Sequence, residues 1–248
     1  MAGREKLLKV YWRARDIIAP SLVYSQEIYE RVLNQHVGRE MTWLDLGCGH
    51  QILPAWRREQ EQDLVARCRL IVGIDSDRPS LLAHENISSR VEGDITRLPF
   101  KDGCFDLITA NMVVEHLDNP AAQFREISRV LRPGGFFIFH TPNAHGYFSL
   151  MRRLVPQALN NKLTALLDGR KVEDVFPVHY RANTRKAIGE LAKASDLEVV
   201  GEKMIVTDAV FSVVPPLMVF ELMLIRALMT DALKPWRTNI IAILRKEA

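Results

Sequence analysis

Short apolar runs alternate along this 248-residue chain with stretches of helical spacing. Residues 41–46, 70–74, 105–110 and 136–140 are mostly apolar runs that predict buried strands. A weaker strand is expected at 90–92, ahead of Gly93 and Asp94. Between them, Ile28, Tyr29, Val32, Leu33 and Val37 share one face of a helix expected over 21–37, with Ser21 or Ser25 as its cap and Gly38 as its stop. Phe124, Ile127, Val130 and Leu131 mark a helix over 121–131, ended by Pro133, Gly134 and Gly135. Thr184 is placed to cap a helix through Ile188, Leu191 and Ala192, and residues 198–206 and 239–244 predict two further strands. Strands alternating with helices point to an α/β fold, with a mostly parallel sheet covered on both sides and joined by right-handed crossovers.

Two segments depart from that rhythm. Residues 142–182 contain Pro142, Asn143, Gly146 and Pro156, with a basic amphipathic stretch at 151–153, and read as a lid or substrate insertion. Residues 209–230 are nearly all apolar but contain Glu221 and Arg226, and Pro215 and Pro216 are expected to divide them. A membrane-spanning helix needs about 20 apolar residues with few charges, so this segment is expected to lie on a membrane surface or line an apolar cavity. Ordinary core, a homodimer face or a membrane span are the alternatives. The chain thus reads as a single domain over 1–248, with an N-terminal helical cap at 1–40, the lid at 142–182 and an apolar insertion at 207–238 between the last two strands.

Composition narrows the function classes. Hydrophobic residues are 48% and charged residues 25% of the chain, the balance of a globular protein. Lys and Arg total 33 against 30 Asp and Glu, too small and mixed an excess to call for nucleic acid. The first residues, in which Leu7, Leu8, Val10 and Tyr11 alternate with Lys6, Lys9, Arg13 and Arg15, are too charged for a secretory signal. They suit a basic amphipathic helix packed on its own domain. Cys48, Cys68 and Cys104 are widely spaced and form no CxxC pair. Reduced thiols in a cytoplasmic setting are expected, with peripheral membrane contact if 209–230 meets lipid. No closed zinc-ligand spacing is present, and no metal is expected.

The chemistry concentrates in Asp45-Leu46-Gly47-Cys48-Gly49, a glycine turn directly after a strand, where bare backbone can approach a ligand. The next strand ends at Asp75, and a carboxylate at a strand tip can accept hydrogen bonds from both ribose hydroxyls. Ile52 stands where a nicotinamide-type GxGxxG would need its last glycine, and no GKS or GKT follows as a P-loop requires.

With these features the chain resembles the class I S-adenosylmethionine (SAM)-dependent methyltransferases. The closest flavour is the small-molecule type, similar to ubiquinone-pathway-like O-methyltransferases. The resemblance implies a Rossmann-like sheet, mostly parallel with an antiparallel final strand, and SAM as cofactor. It puts Asp45, Gly47, Cys48 and Gly49 beside the methionine part, and Asp75 with Ser76 at the ribose. Asp94 would meet the adenine amino group, Ile95 would flank the ring, and Asn111 and Met112 would sit near the cofactor. The turn Leu131-Arg132-Pro133-Gly134-Gly135 matches the family's lead into the fifth strand. One departure is Gln51, where the family often has a third glycine.

Displacement at an already activated methyl needs mainly alignment, with a base if the acceptor is a hydroxyl. His116, after the fourth strand, is the first candidate base and His140 the second. His145, Tyr147, His179, Tyr180 and Arg181 are candidate acceptor contacts. Related metal-dependent enzymes use acidic groups and a histidine, but Met112 stands where a further acid would be wanted beside Glu115 and His116. The expected acceptor is a small or lipid-like molecule, methylated at oxygen. The rival functions are protein or nucleic-acid methylation and non-catalytic binding of SAM or a partner.

Overall fold

The structure is a computed structural model that describes residues 2–154 and 177–247. Its helices are α1 (Ala2–Ile18), α2 (Ser25–His36), α3 (Arg58–Arg67), α4 (Arg78–Ala83), α5 (Pro120–Val130), α6 (Tyr147–Leu154), α7 (Arg185–Lys193) and α8 (Pro215–Leu228). The strands are β1 (Thr42–Leu46), β2 (Leu70–Asp75), β3 (Ser89–Glu92), β4 (Phe105–Asn111), β5 (Leu131–Pro142), β6 (Leu197–Ile205) and β7 (Asn239–Lys246). Among the described residues they form one seven-stranded sheet in the order β3-β2-β1-β4-β5-β7-β6. The pairs β3-β2, β2-β1, β1-β4 and β4-β5 are parallel, and β5, β7 and β6 run antiparallel.

The chain divides into two compact units. One comprises Gln26–Pro142, Val178–Lys203 and Ile240–Ala248 and contains β1 to β5. Every residue of β1 is buried, as a central parallel strand requires. Leu44 pairs with Val72 on one side and Ile108 on the other. Against the sheet, α5 buries Phe124, Ile127 and Val130. The Phe124 ring meets Phe137 edge-on at 5.6 Å between centroids, a geometry favoured by the ring quadrupoles. Asn119 caps α5 by accepting from the Ala122 N–H at 3.3 Å, and Pro120 fits the first turn, where no N–H is needed.

Several boundaries differ from those expected. The helix foreseen over 21–37 begins at Ser25, with α1 a separate helix before it. β5 starts at Leu131 rather than 136: Leu131 pairs with Phe105, the Pro-Gly-Gly stretch with Gly134 at φ +79° forms an irregularity, and pairing resumes at Phe136 opposite Leu107. Helix α3 was not foreseen, because among its largely charged residues only Leu64 and Glu61 are buried. Thr184 caps α7, its Oγ1 accepting from the Ala187 N–H at 3.1 Å.

The second unit comprises Met1–Ser25, Asn143–Pro177 and Met204–Asn239. Its core gathers Tyr11 and Leu22 with Val206, Met218, Leu222 and Ile225. Pro215 and Pro216 do not divide the apolar segment as expected. They occupy the first turn of α8, where a missing N–H does no harm. Buried Glu221 accepts from the N–H groups of Val210 (2.9 Å) and Phe211 (2.8 Å) and from the Tyr147 hydroxyl (2.6 Å), fastening the preceding loop to α8. No helix among the described residues is long and apolar enough to cross a membrane. Of the lid expected at 142–182, residues 155–176 lie outside the described residues.

Candidate active site

Because β1 to β4 are parallel, their C-terminal tips lie along one edge of the sheet. Leaving β1, the chain turns through Gly47 at φ +58° and Gly49 at φ +52°, a region L side chains rarely adopt. A Cβ on Gly47 would lie 2.6 Å from Val113 Cγ2, whereas one on Gly49 would meet nothing within 4 Å. Gly47 therefore serves a close approach inside the protein, and Gly49 presents bare backbone to open space. Buried Cys48 donates its N–H to the Ile74 carbonyl at 3.2 Å, tying the turn to β2.

Asp75 closes β2 and is partly buried. Its Oδ2 accepts from the Gly49 N–H and its Oδ1 from the Asp77 N–H, both at 2.8 Å. Two backbone donors fix the carboxylate's orientation, and each oxygen keeps capacity for another donor. Ser76 beside it is exposed. The Gly93 N–H bonds the Asp75 carbonyl at 3.0 Å, which brings the turn after β3 to the same edge. Asp94 on that turn is exposed, with Oδ1 accepting from the Thr96 N–H at 2.8 Å, and Ile95 is half-buried. Asn111 at the tip of β4 forms a two-way amide pair with Gln26, donates to the Ile52 carbonyl at 3.1 Å, and is followed by exposed Met112 at φ +59°.

Two of the expected site residues lie deeper. The Asp45 carboxyl is buried and accepts from Thr109 Oγ1 at 2.5 Å, while Thr109 accepts from Trp43 Nε1 at 2.6 Å. Burial pushes the Asp45 carboxyl up to about 7; the Thr109 bond opposes the rise, and Glu61 and Asp75 add to it. His140 is fully buried, stacks on Tyr29 at 5.7 Å and has Nδ1 3.0 Å from Asn111 Oδ1. Burial drives its ring down to about 3, so it stays neutral. In this position His140 contacts Asn111 and lies away from solvent.

His116 sits half-buried in a single 3-10 turn, Val114–His116, after β4. The same turn anchors a distant segment. The Glu115 carbonyl accepts from the N–H groups of His179 (2.8 Å) and Tyr180 (3.3 Å), and its carboxylate accepts from Thr141 Oγ1 at 2.9 Å. Tyr180 adopts φ +53°, and Arg181 bonds the Asp118 carbonyl. His179, Tyr180 and His116 are thus brought together within one unit. His145 and Tyr147 belong to the other unit, where Tyr147 is held by Glu221. No cluster of three or more His, Cys, Asp or Glu suited to a metal occurs among the described residues.

Sequence reasoning missed Glu61. From α3 its buried Oε2 accepts from the N–H groups of Ile52 (2.9 Å) and Leu53 (2.7 Å), and Oε1 accepts from Asn86 Nδ2 at 2.7 Å. It holds the loop that follows the glycine turn. Arg57 grips Glu30 of α2 through two bonds of 2.7 Å a few residues on. Nothing in the local pattern separates Glu61 from its charged neighbours Glu59 and Asp63.

Residues 44–139 match a family profile described as "Methyltransferase domain", and the matched span runs from β1 through most of β5. Over these residues the chain is similar to methyltransferase domains. A Mycolicibacterium smegmatis protein described as a "probable S-adenosylmethionine-dependent methyltransferase" is 31% identical to the chain over 166 residues, 62% of this chain and 61% of that protein. A demethylmenaquinone methyltransferase of Mycolicibacterium gilvum is 36% identical over 80 residues, 31% of this chain and 35% of that protein. The chain therefore spans about three fifths and one third of these curated relatives. Among solved structures, a SAM-dependent methyltransferase from Mesorhizobium loti aligns at TM-score 0.56 and 18% identity, covering 88% of this chain and 96% of that one. Another from Methanosarcina mazei aligns at 0.57 and 14%, covering 91% and 99%. At such identities the likeness is one of fold.

The residues gathered at the strand tips fit SAM. Asp75, already oriented, is a double acceptor for a diol, the Gly49 backbone is uncovered, and Asp94 is an exposed acceptor one strand away.

Proposed function

We propose that the chain transfers a methyl group from SAM to a small or amphiphilic acceptor, with oxygen as the receiving atom. The observation that carries the reading is the Asp75 carboxylate, held by the Gly49 and Asp77 N–H groups beside bare glycine backbone at the strand tips. Asp75 and Ser76 would hold the ribose, Asp94 and Ile95 the adenine, and the 47–49 backbone with Asn111 and Met112 the methionine end. When bound, SAM supplies a methyl on a positively charged sulfur. The chain's own task is then to place the acceptor in line and to accept its proton. His116 is the candidate base: it lies on the turn after β4 and, unlike His140, is not fully buried. His179 and Tyr180, fastened to the same turn, would contact the acceptor. The relatives named demethylmenaquinone methyltransferase favour a lipid-like acceptor, which would be met at the surface of a membrane.

Asp75→Ala removes a charged hydrogen-bond acceptor and is expected to weaken SAM binding by roughly 1–3 kcal/mol. Isothermal calorimetry with SAM on both proteins measures it. Equal affinities would remove Asp75 from the site and, with it, the support for this reading.

A further inference from the structure

We propose that the outward face of α8 docks the protein on an anionic lipid surface. The inward face of α8 buries Met218, Leu222, Ile225 and Leu228. A surface helix normally turns polar residues outward. Here the outward side carries Leu217, Phe220 and Met223, exposed by 47%, 70% and 61%, with Val219 beside them. Helical spacing of three and four places these side chains on one contiguous apolar face. Its charged margin is Arg226, which donates to the Ile18 carbonyl of α1 at 2.8 Å.

The charge of the unit that bears the face points to what covers it. α1 packs in the same core as α8 and exposes Lys6, Lys9 and Arg13, together with Trp12. The 3-10 turn Asp231–Trp236 that follows α8 exposes Lys234 and Trp236. Over its whole sequence this unit has 13 Lys and Arg against 8 Asp and Glu, an excess of five. The complete chain has 33 against 30, so the remainder has 20 against 22 and is slightly negative. The positive charge of the molecule is thus concentrated in the unit that bears the apolar face.

Charge selects among the occupants. Two copies meeting face to face would bring together surfaces of the same sign, which disfavours self-association. Anionic headgroups attract such a surface, indoles favour the membrane–water boundary, and exposed apolar side chains enter the acyl margin. Spanning is excluded by length. The 14 residues of α8 reach about 21 Å at 1.5 Å each, against a hydrocarbon core of about 30 Å. The helix therefore lies along the surface.

The test is co-sedimentation of the full chain with phosphatidylcholine vesicles, with and without phosphatidylglycerol. Wild-type protein is expected to bind the anionic vesicles, more weakly as salt rises. The triple variant L217Q/F220Q/M223Q is expected to lose roughly tenfold or more of that partition, with its far-UV circular dichroism and melting temperature retained. Quenching of wild-type tryptophan fluorescence by brominated anionic lipid gives a second reading that needs no variant. Absence of binding and of quenching would overturn the proposal, as would equal partition of the triple variant. A wild-type dimer that the triple variant converts to monomer would also overturn it, by showing a second copy on the face. SAM affinity of the same preparations reports separately on the cofactor reading and can fail while vesicle binding stands.

Discussion

The Asp45 carboxyl shows how a residue singled out by its type can be governed by its surroundings. Facing Thr109 inside the sheet, it keeps its proton to about pH 7, where an unfolded chain releases it near 4. Between those values the folded state binds more protons than the unfolded state, so stability falls as pH rises through the window. The whole window corresponds to a loss on the order of 4 kcal/mol, complete above about pH 7. Asp45→Asn retains an oxygen for the Thr109 hydroxyl and removes the titration. The variant is expected to lose less stability than wild type between pH 5 and pH 8, measured by urea denaturation. Parallel losses in the two proteins would mean that the carboxyl titrates normally.

At the scale of elements, the loop that follows the glycine turn is held by a helix that contributes almost nothing to the apolar core. α3 delivers Glu61 to two buried N–H groups, those of Ile52 and Leu53, in the loop directly after the turn. Glu61→Ala would leave both without an acceptor, at a cost of about 1–3 kcal/mol for each. Loosening that loop is also expected to weaken SAM binding. Denaturant unfolding and calorimetry on the same preparation check both. A variant as stable as wild type, with the same affinity, would show that water or the chain replaces the carboxylate. The identical logic made α3 invisible in the sequence: its one structural carboxylate sits among solvated ones, and helical periodicity needs more than one buried leucine to register.

For the whole molecule, ligand binding and folding are linked. SAM at a hundred times its dissociation constant is expected to stabilise the unit that carries the strand tips by about 2.7 kcal/mol. Thermal melts with and without SAM should separate, and Asp75→Ala should shrink the separation at equal SAM concentration. Coincident melts of wild type with and without SAM would argue that the folded strand tips bind no SAM. The two compact units give the experiment a further reading. If they melt apart, the shift belongs to the transition of the sheet-bearing unit.

Much of this protein was legible in its sequence. Buried parallel strands announce themselves as short apolar runs, and positive φ selects glycine at 47 and 49. A carboxylate that ends a parallel strand lies at the C-terminal edge of the sheet, which is where the strand pattern puts Asp75. These are local requirements, and the chain writes them locally. What only the tertiary structure decided is which side of a residue meets protein and which meets water. Asp45 and His140 are read as site residues from their positions, yet packing from Thr109, Tyr29 and Asn111 encloses them. Phe220 and Ile225 belong to the same apolar segment, yet one is exposed and the other buried. Hydropathy is a property of the side chain, but burial depends on neighbours distant in sequence, and the linear pattern of α8, apolar nearly all round, contains no term that tells its two faces apart.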